Sequence, residues 1–459
     1  MHTPPSHSIL TAAEMRAAED VVIANGTSVA ELMERAGAAV ADAVWRYGGE
    51  RPTLILCGPG NNGGDGYVAA RLLQARGLDV RVAAIREPKA PAAIEARRGW
   101  TGPVEALGDA VSAPVLVDAL FGTGLARPLE PAIAQPLARL AEEAKFRIAV
   151  DLPSGVGTDD GAALGAVQAD LTLALGAMKP AHLLQPAAAL CGVVRTADIG
   201  VEAESRCWSL AKAQLSAPSP TAHKYSRGMV AVVGGAMAGA SMLSAKAAMR
   251  IAGYVAIVGA KRTGPDALVH RRWEDVAEDH RIGALLIGPG LGRGEKAQAA
   301  LNLAHATDHP LILDADALTL LADGDFDQFR ARPRPAILTP HEGEFQRLFG
   351  TLPGSKIERA RAAAVQSNAV IILKGADTVI AAPDGRVVIA PLAPGWLASA
   401  GTGDVLAGIA AALLAHVGDP FWAACDAVWL HNEAARVAGP GLIADDLPAL
   451  LPTAVARCL

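Results

Sequence analysis

Charge is scarce in this chain. Asp, Glu, Lys and Arg make up only 19% of its 459 residues, and the formal net charge is −6 with no long basic run. Nucleic-acid binding driven by electrostatics is excluded on that ground. Aromatic residues are scarcer still, at 4%, so the cores must be built from Ala, Leu, Val and Ile. The five cysteines, Cys57, Cys191, Cys207, Cys425 and Cys458, lie far apart and form no C-x-x-C pair. Neither a zinc site nor a disulfide framework is indicated, and a reducing compartment fits. The N-terminus lacks the charged start and apolar core of a signal peptide. The longest uncharged stretch, Gly228 to Ala245, is interrupted by Gly234-Gly235 and Gly239, and reads as strand, loop and helix rather than a membrane span. The expectation is a cytoplasmic protein that binds neither nucleic acid nor membrane.

What the chain has is apolar content, 51% of its residues, and a length that suggests two to three domains. Thr11-Ala12-Ala13-Glu14 and Ser28-Val29-Ala30-Glu31 are capping boxes that open two helices. Strands then alternate with helical stretches. Thr53 to Cys57 leads into a glycine loop expected from Gly58 to Gly66. Val115 to Val117 and Phe146 to Val150 each end in an aspartate, Asp118 and Asp151, followed by a glycine-containing loop. Such alternation implies a parallel, doubly wound sheet, whose ligands bind beyond the carboxyl ends of the strands. The Ser-Pro stretch at 215–222 reads as a linker between domains 1–214 and 223–459. A second α/β pattern begins at Met229 to Val233 and includes a hairpin about Pro383-Asp384-Gly385.

Gly58-Pro59-Gly60-Asn61-Asn62-Gly63 matches G-x-G-x-x-G between a strand and a helix. A dehydrogenase reading is weakened by Asp79, which opens the next strand instead of ending it, and by Asn61, Asn62 and Asp65. These oxygens suit a hard cation or a hydroxyl-rich ligand, although Asn and Asp also bond to their own backbone in plain turns. Three polar loops at three strand ends point to one crevice. In the second half, Ser399 to Asp404 places a glycine loop and an acid ahead of the apolar run Val405 to Ala415. Amides at a helix start can seat a phosphate, and a carboxylate beside it can take a proton from a hydroxyl. The residues alone also allow an ordinary helix start, a solvated Lys374 and a turn histidine at His341.

The motifs Gly58 to Gly66, Asp118-Ala119-Leu120-Phe121-Gly122-Thr123-Gly124 and Asp151-Leu152-Pro153-Ser154-Gly155 resemble the NAD(P)H-hydrate epimerase family over roughly the first two hundred residues. The resemblance implies a Rossmann-like three-layer domain that interconverts the R and S epimers of hydrated NADH and NADPH (NADHX and NADPHX). It implies substrate contacts at Asn61, Asn62, Gly63, Gly64 and Asp65, at Gly122, Thr123, Gly124, Leu125, Ala126, Arg127 and Pro128, and at Asp151, the candidate acid–base residue. Asn62, Asp118 and Ser154 match positions that hold a potassium ion. Lys179 is placed near the site or in a solvated loop.

The motifs His223 to Gly228, Gly234-Gly235 with Gly239-Ala240, Asp314 to Leu318, Thr339 to Glu344, Lys374 to Thr378 and Ala400 to Gly408 resemble the ADP/ATP-dependent NAD(P)H-hydrate dehydratases, a branch of the ribokinase-like fold. This implies nucleotide contacts at Lys374, Gly375, Ala376, Asp377, Thr378 and Gly403. It implies hydrate contacts at Ala240, Gly290, Gly292, His341 and Asp404, with Asp404 catalytic. ADP or ATP is the implied co-substrate, with Mg²⁺ and its waters organised by Glu344. Ala252-Gly253-Tyr254 is bulkier than the family pattern and is expected to alter a corner near the substrate. The whole is expected to be a bifunctional enzyme and a homo-oligomer. Two alternatives stay open: a sugar or vitamin kinase for the second half, and a non-catalytic nucleotide-binding module for the first.

Overall fold

Short apolar runs form the strands, and most are buried along their whole length because helices cover both faces of each sheet. The structure, a computed structural model, describes residues 7–259, 264–324 and 326–459. The first sheet contains β1 (Thr53–Cys57), β2 (Val80–Ala84), β3 (Val104–Ala106), β4 (Val115–Ala119), β5 (Phe146–Val150), β6 (Leu171–Leu175) and β7 (Val193–Ala197). Their order is β3-β2-β1-β4-β5-β6-β7, parallel throughout. Alternate residues of β1 divide between two cores. Ile55 and Cys57 pack with the helices Val29–Ala43 and Asn61–Ala75, and Leu54 and Leu56 with the helix Pro131–Glu143. This makes the three layers expected for the first domain. Both predicted capping boxes are formed, at Thr11 and at Ser28.

The second sheet contains β8 (Cys207–Ser209), β9 (Met229–Val233), β10 (Tyr254–Val258), β11 (Val269–Arg271), β12 (Ala284–Ile287), β13 (Leu311–Leu313), β14 (Ala336–Leu338), β15 (Val370–Leu373), β16 (Val379–Ala381) and β17 (Val387–Ile389). The order is β11-β10-β9-β12-β13-β14-β15-β16-β17-β8. The pairs from β11 to β15 are parallel, and β15-β16-β17 is antiparallel, which includes the predicted hairpin. The chain divides into two compact units between Cys207 and Trp208, ahead of the 215–222 stretch. The residues just before that stretch already belong with the second sheet: Leu210 N–H donates to Ile389 O at 2.9 Å and Gln214 N–H to Asp426 Oδ1 at 3.2 Å. Among the described residues no helix is long and apolar enough to cross a membrane.

In each sheet the strand order reverses beside its first long strand, between β1 and β4 and between β9 and β12. Loops leaving the carboxyl ends at such a reversal diverge and open a crevice.

Candidate active sites

The expected loop after β1 is short, because the chain turns helical at Asn61. Close packing accounts for this. A Cβ on Gly63 would lie 1.9 Å from Gly58 O, and one on Gly66 2.9 Å from Cys57 Sγ and Ala119 Cβ. The glycines let the first turns of the helix Asn61–Ala75 press onto the sheet, so Asn61, Asn62 and Asp65 are presented from a helix start, not a loop.

They line a cavity of about 600 Å³ together with Gly122, Thr123, Gly124, Leu125, Asp151 and Lys179. Gly63 and Gly64 are buried under it, and Ala126, Arg127 and Pro128 lie beyond its lining, Arg127 3.7 Å from Glu130. Asp151 has φ +66, a left-handed conformation that disfavours a side chain. Its surroundings hold it there. Its N–H donates to Leu173 O at 2.8 Å, and His182 Nε2 donates to its carbonyl at 2.7 Å. Lys179 N–H donates to His182 Nδ1 at 2.8 Å, which sets that tautomer. Burial, with Lys179 adding to it, pushes the imidazole down to about 4, so it is neutral. Lys179 is 1% exposed. Its ammonium donates to Asp151 Oδ1 at 2.5 Å and Leu175 O at 2.7 Å. Lys179 is therefore a buried partner of Asp151 and not a solvated loop lysine. Burial drives the Asp65 carboxyl well above the usual range, with Asp151 and Glu19 adding repulsion.

Asp118 accepts from Ser154 Oγ at 2.6 Å, Ser154 N–H at 2.8 Å and Leu120 N–H at 3.2 Å. Its pKa is raised all the same, because burial outweighs those donors. A Cβ on Gly122 would lie 3.0 Å from Asn62 Oδ1 and 3.3 Å from Asp151 Oδ2, so these oxygens face the same small space. Asn62 Nδ2 is buried without a hydrogen-bond partner. Asn62, Asp118 and Ser154 offer amide, carboxylate and hydroxyl oxygens, but only Asn62 lines the cavity, while Asp118 and Ser154 are bonded to each other beside it.

In the second unit, Gly401 at φ +88 turns the chain into the helix Thr402–Val417. The Thr402 hydroxyl reaches Leu397 O and Ser399 O, both at 2.9 Å, and ties the loop down. Asp404 O accepts from Ser244 Oγ at 2.8 Å. A Cβ on Gly408 would meet Ser244 O at 2.2 Å, so glycine permits this close helix crossing. Lys374 leaves β15 over the helix start: its Nζ is 3.5 Å from the place of a Gly403 Cβ. It donates to Asp314 Oδ1 at 2.8 Å and lies 3.8 Å from Glu344 Oε2. Burial alone would push its pKa down, but Asp314, Glu344 and Asp404 raise it. Burial pushes Asp404 up to about 6, Asp314 adding and Lys374 opposing.

The Gly234-Gly235 and Gly288 to Gly292 turns meet at the reversal. Met237 N–H donates to Gly290 O at 2.9 Å, and a Cβ on Gly290 would lie 3.0 Å from Ala240 Cβ. Gly292 N–H donates to Asp316 Oδ2 at 2.9 Å. His341 caps the helix Glu342–Phe349: its Nδ1 accepts from Gly343 and Glu344 N–H, and Glu344 Oε2 accepts from His341 N–H at 2.9 Å. Its ring is largely exposed, with Nε2 3.5 Å from Glu344 Oε1. Among the described residues no three His, Cys, Asp or Glu side chains converge to hold a metal. Asp377 is buried and bonded to Lys356 Nζ at 2.6 Å, a partner the motifs did not suggest. The Ala252-Gly253-Tyr254 corner lies at the amino end of β10, where Gly253 N–H donates to Arg227 O. That is the opposite end of the sheet from this site, which corrects the expected effect on the substrate.

The molecule therefore has two sites with different chemistry, one in each unit, and comparison with known proteins reaches the same division. The family described as YjeF-related protein N-terminus matches residues 29–181, and that described as NAD(P)H-hydrate dehydratase matches residues 230–453. A bifunctional NAD(P)H-hydrate repair enzyme Nnr of Salinibacter ruber is 35% identical, over 98% of this chain and 96% of its own length. That of Escherichia coli is 35% identical, over 94% and 90%. A ribokinase-like superfamily protein of Enterococcus faecalis shares 25% identity and a TM-score of 0.50, covering 56% of this chain and 98% of that one. With end-to-end similarity of this kind, the chain belongs to the family of bifunctional NAD(P)H-hydrate repair enzymes.

Proposed function

We propose that the chain repairs hydrated nicotinamide dinucleotides in two steps: the first unit interconverts the R and S epimers of NADHX and NADPHX, and the second dehydrates the S epimer at the expense of ADP or ATP. The observation that carries this reading is Asp404, a carboxyl held near pH 6 at the mouth of a helix start and beneath a paired lysine.

In the second site Asp404 accepts the proton of the ring hydroxyl, whose oxygen bonds to the terminal phosphoryl as the bond to the shorter nucleotide breaks. The new phosphate ester then leaves with its C–O bond, a proton departs from the adjacent carbon, and the dihydropyridine is restored. The Gly401 to Gly403 amides and Lys374 face the charge that moves. Gly375 to Thr378 seat the nucleotide, and Ala240, Gly290, Gly292 and His341 the hydrate. Mg²⁺, bound with the nucleotide, would supply phosphate charge neutralisation, and Glu344 is the residue that would organise its waters.

In the first site Asp151, backed by Lys179 and His182, accepts and returns a proton at the oxygen borne by the hydrated carbon. Asn62, Asp118 and Ser154 are the residues that would hold K⁺, which adds positive charge beside a polyanionic substrate. A reducing, cytoplasmic setting fits the five cysteines, four of them buried and none in a disulfide.

One coupled assay tests the reading. Mixed epimers with ADP or ATP and Mg²⁺ should recover NADH absorbance completely, and pure R epimer should convert to S faster than it does spontaneously. Accumulation of a stable phosphorylated compound would instead favour a kinase.

A further inference from the structure

Epimerisation at one carbon by loss and return of water needs two proton-handling groups: one to protonate the departing hydroxyl and one to take the proton of the incoming water. Asp151 supplies one carboxyl. The first cavity contains others, and one of them is carried by an element that the motifs did not implicate.

The helix Ala12–Ala24 runs along the cavity wall. Met15, Arg16, Glu19, Asp20 and Ile23 all line it, a spacing that presents one helical face. Arg16 and Asp20 are exposed, while Glu19 is half-buried, so of the polar residues on this face it reaches furthest inward. We propose that Glu19 is a second acid–base residue of the epimerase site, acting on the substrate from the helix wall while Asp151 acts from the end of β5.

The proposal rests on the epimerase reading of this cavity. The groups facing Glu19 are Lys179 from the turn after β6, Asp151 from the end of β5, Asp65 from the helix Asn61–Ala75, and Arg16 and Asp20 from its own helix. The two carboxyls differ in their partners. Asp151 Oδ1 accepts from the buried Lys179 ammonium at 2.5 Å and from Leu175 N–H at 3.2 Å. Glu19 has no ion pair within bonding distance among the described residues, and burial raises its pKa against the pull of Lys179. Two carboxyls that line one cavity from different elements, one ion-paired and one not, can serve one substrate as base and acid.

The step balances. Glu19 gives its proton to the hydroxyl, the C–O bond breaks, and water leaves, while the ring nitrogen lone pair supports the resulting cation. Water adds to the other face of the same carbon, its oxygen forms the new C–O bond, and its proton goes to Asp151. Glu19 ends charged and Asp151 neutral, which is the starting state for the reverse direction. Exchange with solvent resets the pair.

The experiment uses the full chain and pure R epimer, with dehydration of S epimer by the same protein as a check on folding. Glu19→Gln should lower the epimerisation rate about 10²-fold and remove its decline at high pH, where wild-type Glu19 loses its proton. Glu19→Asp should recover part of the rate and keep the pH limb. In ¹⁸O-water each conversion should place one solvent oxygen in the product. An unchanged rate and pH profile in Glu19→Gln, with Asp151→Asn inactive, sinks the role of Glu19 and leaves the epimerase reading standing. Retention of the original oxygen sinks the water-exchange step. If wild type itself does not speed conversion, the epimerase reading fails first.

Discussion

Lys179 Nζ lies 2.5 Å from Asp151 Oδ1, with the lysine side chain 1% and the aspartate side chain 9% exposed. A buried ion pair of this kind contributes modestly as a pair, but either half left alone is costly. Lys179→Met should therefore lower the stability of the first unit by about 3 kcal/mol and abolish epimerisation. The double variant Lys179→Met with Asp151→Asn should regain most of the stability and none of the activity. Urea unfolding of the single and double variants measures the coupling. A double variant no more stable than Lys179→Met would show that the lysine acts through packing.

Asp404 couples activity and stability with opposite signs. Its folded carboxyl, near 6, holds a proton more tightly than the unfolded one near 3.8. Its contribution to stability is thus greatest below the unfolded value and declines as pH rises toward 6. Asp404→Asn should stabilise the second unit at pH 7 by about 1–2 kcal/mol, allowing for partial solvent exposure. The same change should lower dehydration at least about 10²-fold and leave epimerisation intact. In wild type, dehydration should fall about tenfold per pH unit below about 6, as the base becomes protonated. A flat profile from pH 5 to 7 would remove Asp404 as the base.

How much of this could be read in advance depended on whether a residue's role is local in sequence. Strand ends carrying Asp118, Asp151 and Asp314 are legible because an apolar run stops at an acid, and the capping boxes are legible because the partners lie three residues apart. Gly58 to Gly66 was harder. The same glycines serve a loop or a helix pressed on a sheet, and only the approach of Cys57 and Ala119 to Gly66 decides between them. β6, Leu171–Leu175, has no motif at its end, so nothing marked it. Lys179 is 28 residues from Asp151, and Lys356 21 from Asp377. Both pairs are made by tertiary folding, and no spacing rule in one sequence predicts them. Glu19 was masked by its helix, whose polar face looks like any solvated surface.

Two buried histidines make the protein acid-sensitive in both units. Burial holds His182 and His431 down to about 4, against about 6.5 in the unfolded chain. Below pH 6.5 the unfolded chain takes up protons that the folded one refuses, so stability falls between about pH 6.5 and 4, by about 3 kcal/mol for each histidine. His431 Nε2 is buried without a hydrogen-bond partner while the ring bonds the Thr402 backbone, so His431→Leu should cost about 1 kcal/mol at pH 7 for that bond and flatten the second unit's decline. Thermal unfolding at pH 7 and pH 5 measures both. An equal loss in variant and wild type would place the acid sensitivity elsewhere.

Lys356 opens the helix Lys356–Ser367, where a cation meets the unfavourable end of the helix dipole. Its contacts explain its presence there: Nζ donates to Asp377 Oδ1 at 2.6 Å and to Asp377 O at 3.0 Å, and it crowds the Cα of Gly375. The lysine thus braces the turn from Lys374 to Thr378 through Asp377. Loosening the turn should weaken nucleotide seating more than chemistry, because Lys374 keeps its own anchor on Asp314. Lys356→Met should raise the nucleotide KM about tenfold, or about 1.4 kcal/mol, with kcat and the hydrate KM changed less than about twofold, and Lys356→Arg should restore part of the loss. A fall in kcat at unchanged nucleotide KM would mean that the brace acts on Lys374 and the transferring phosphoryl instead.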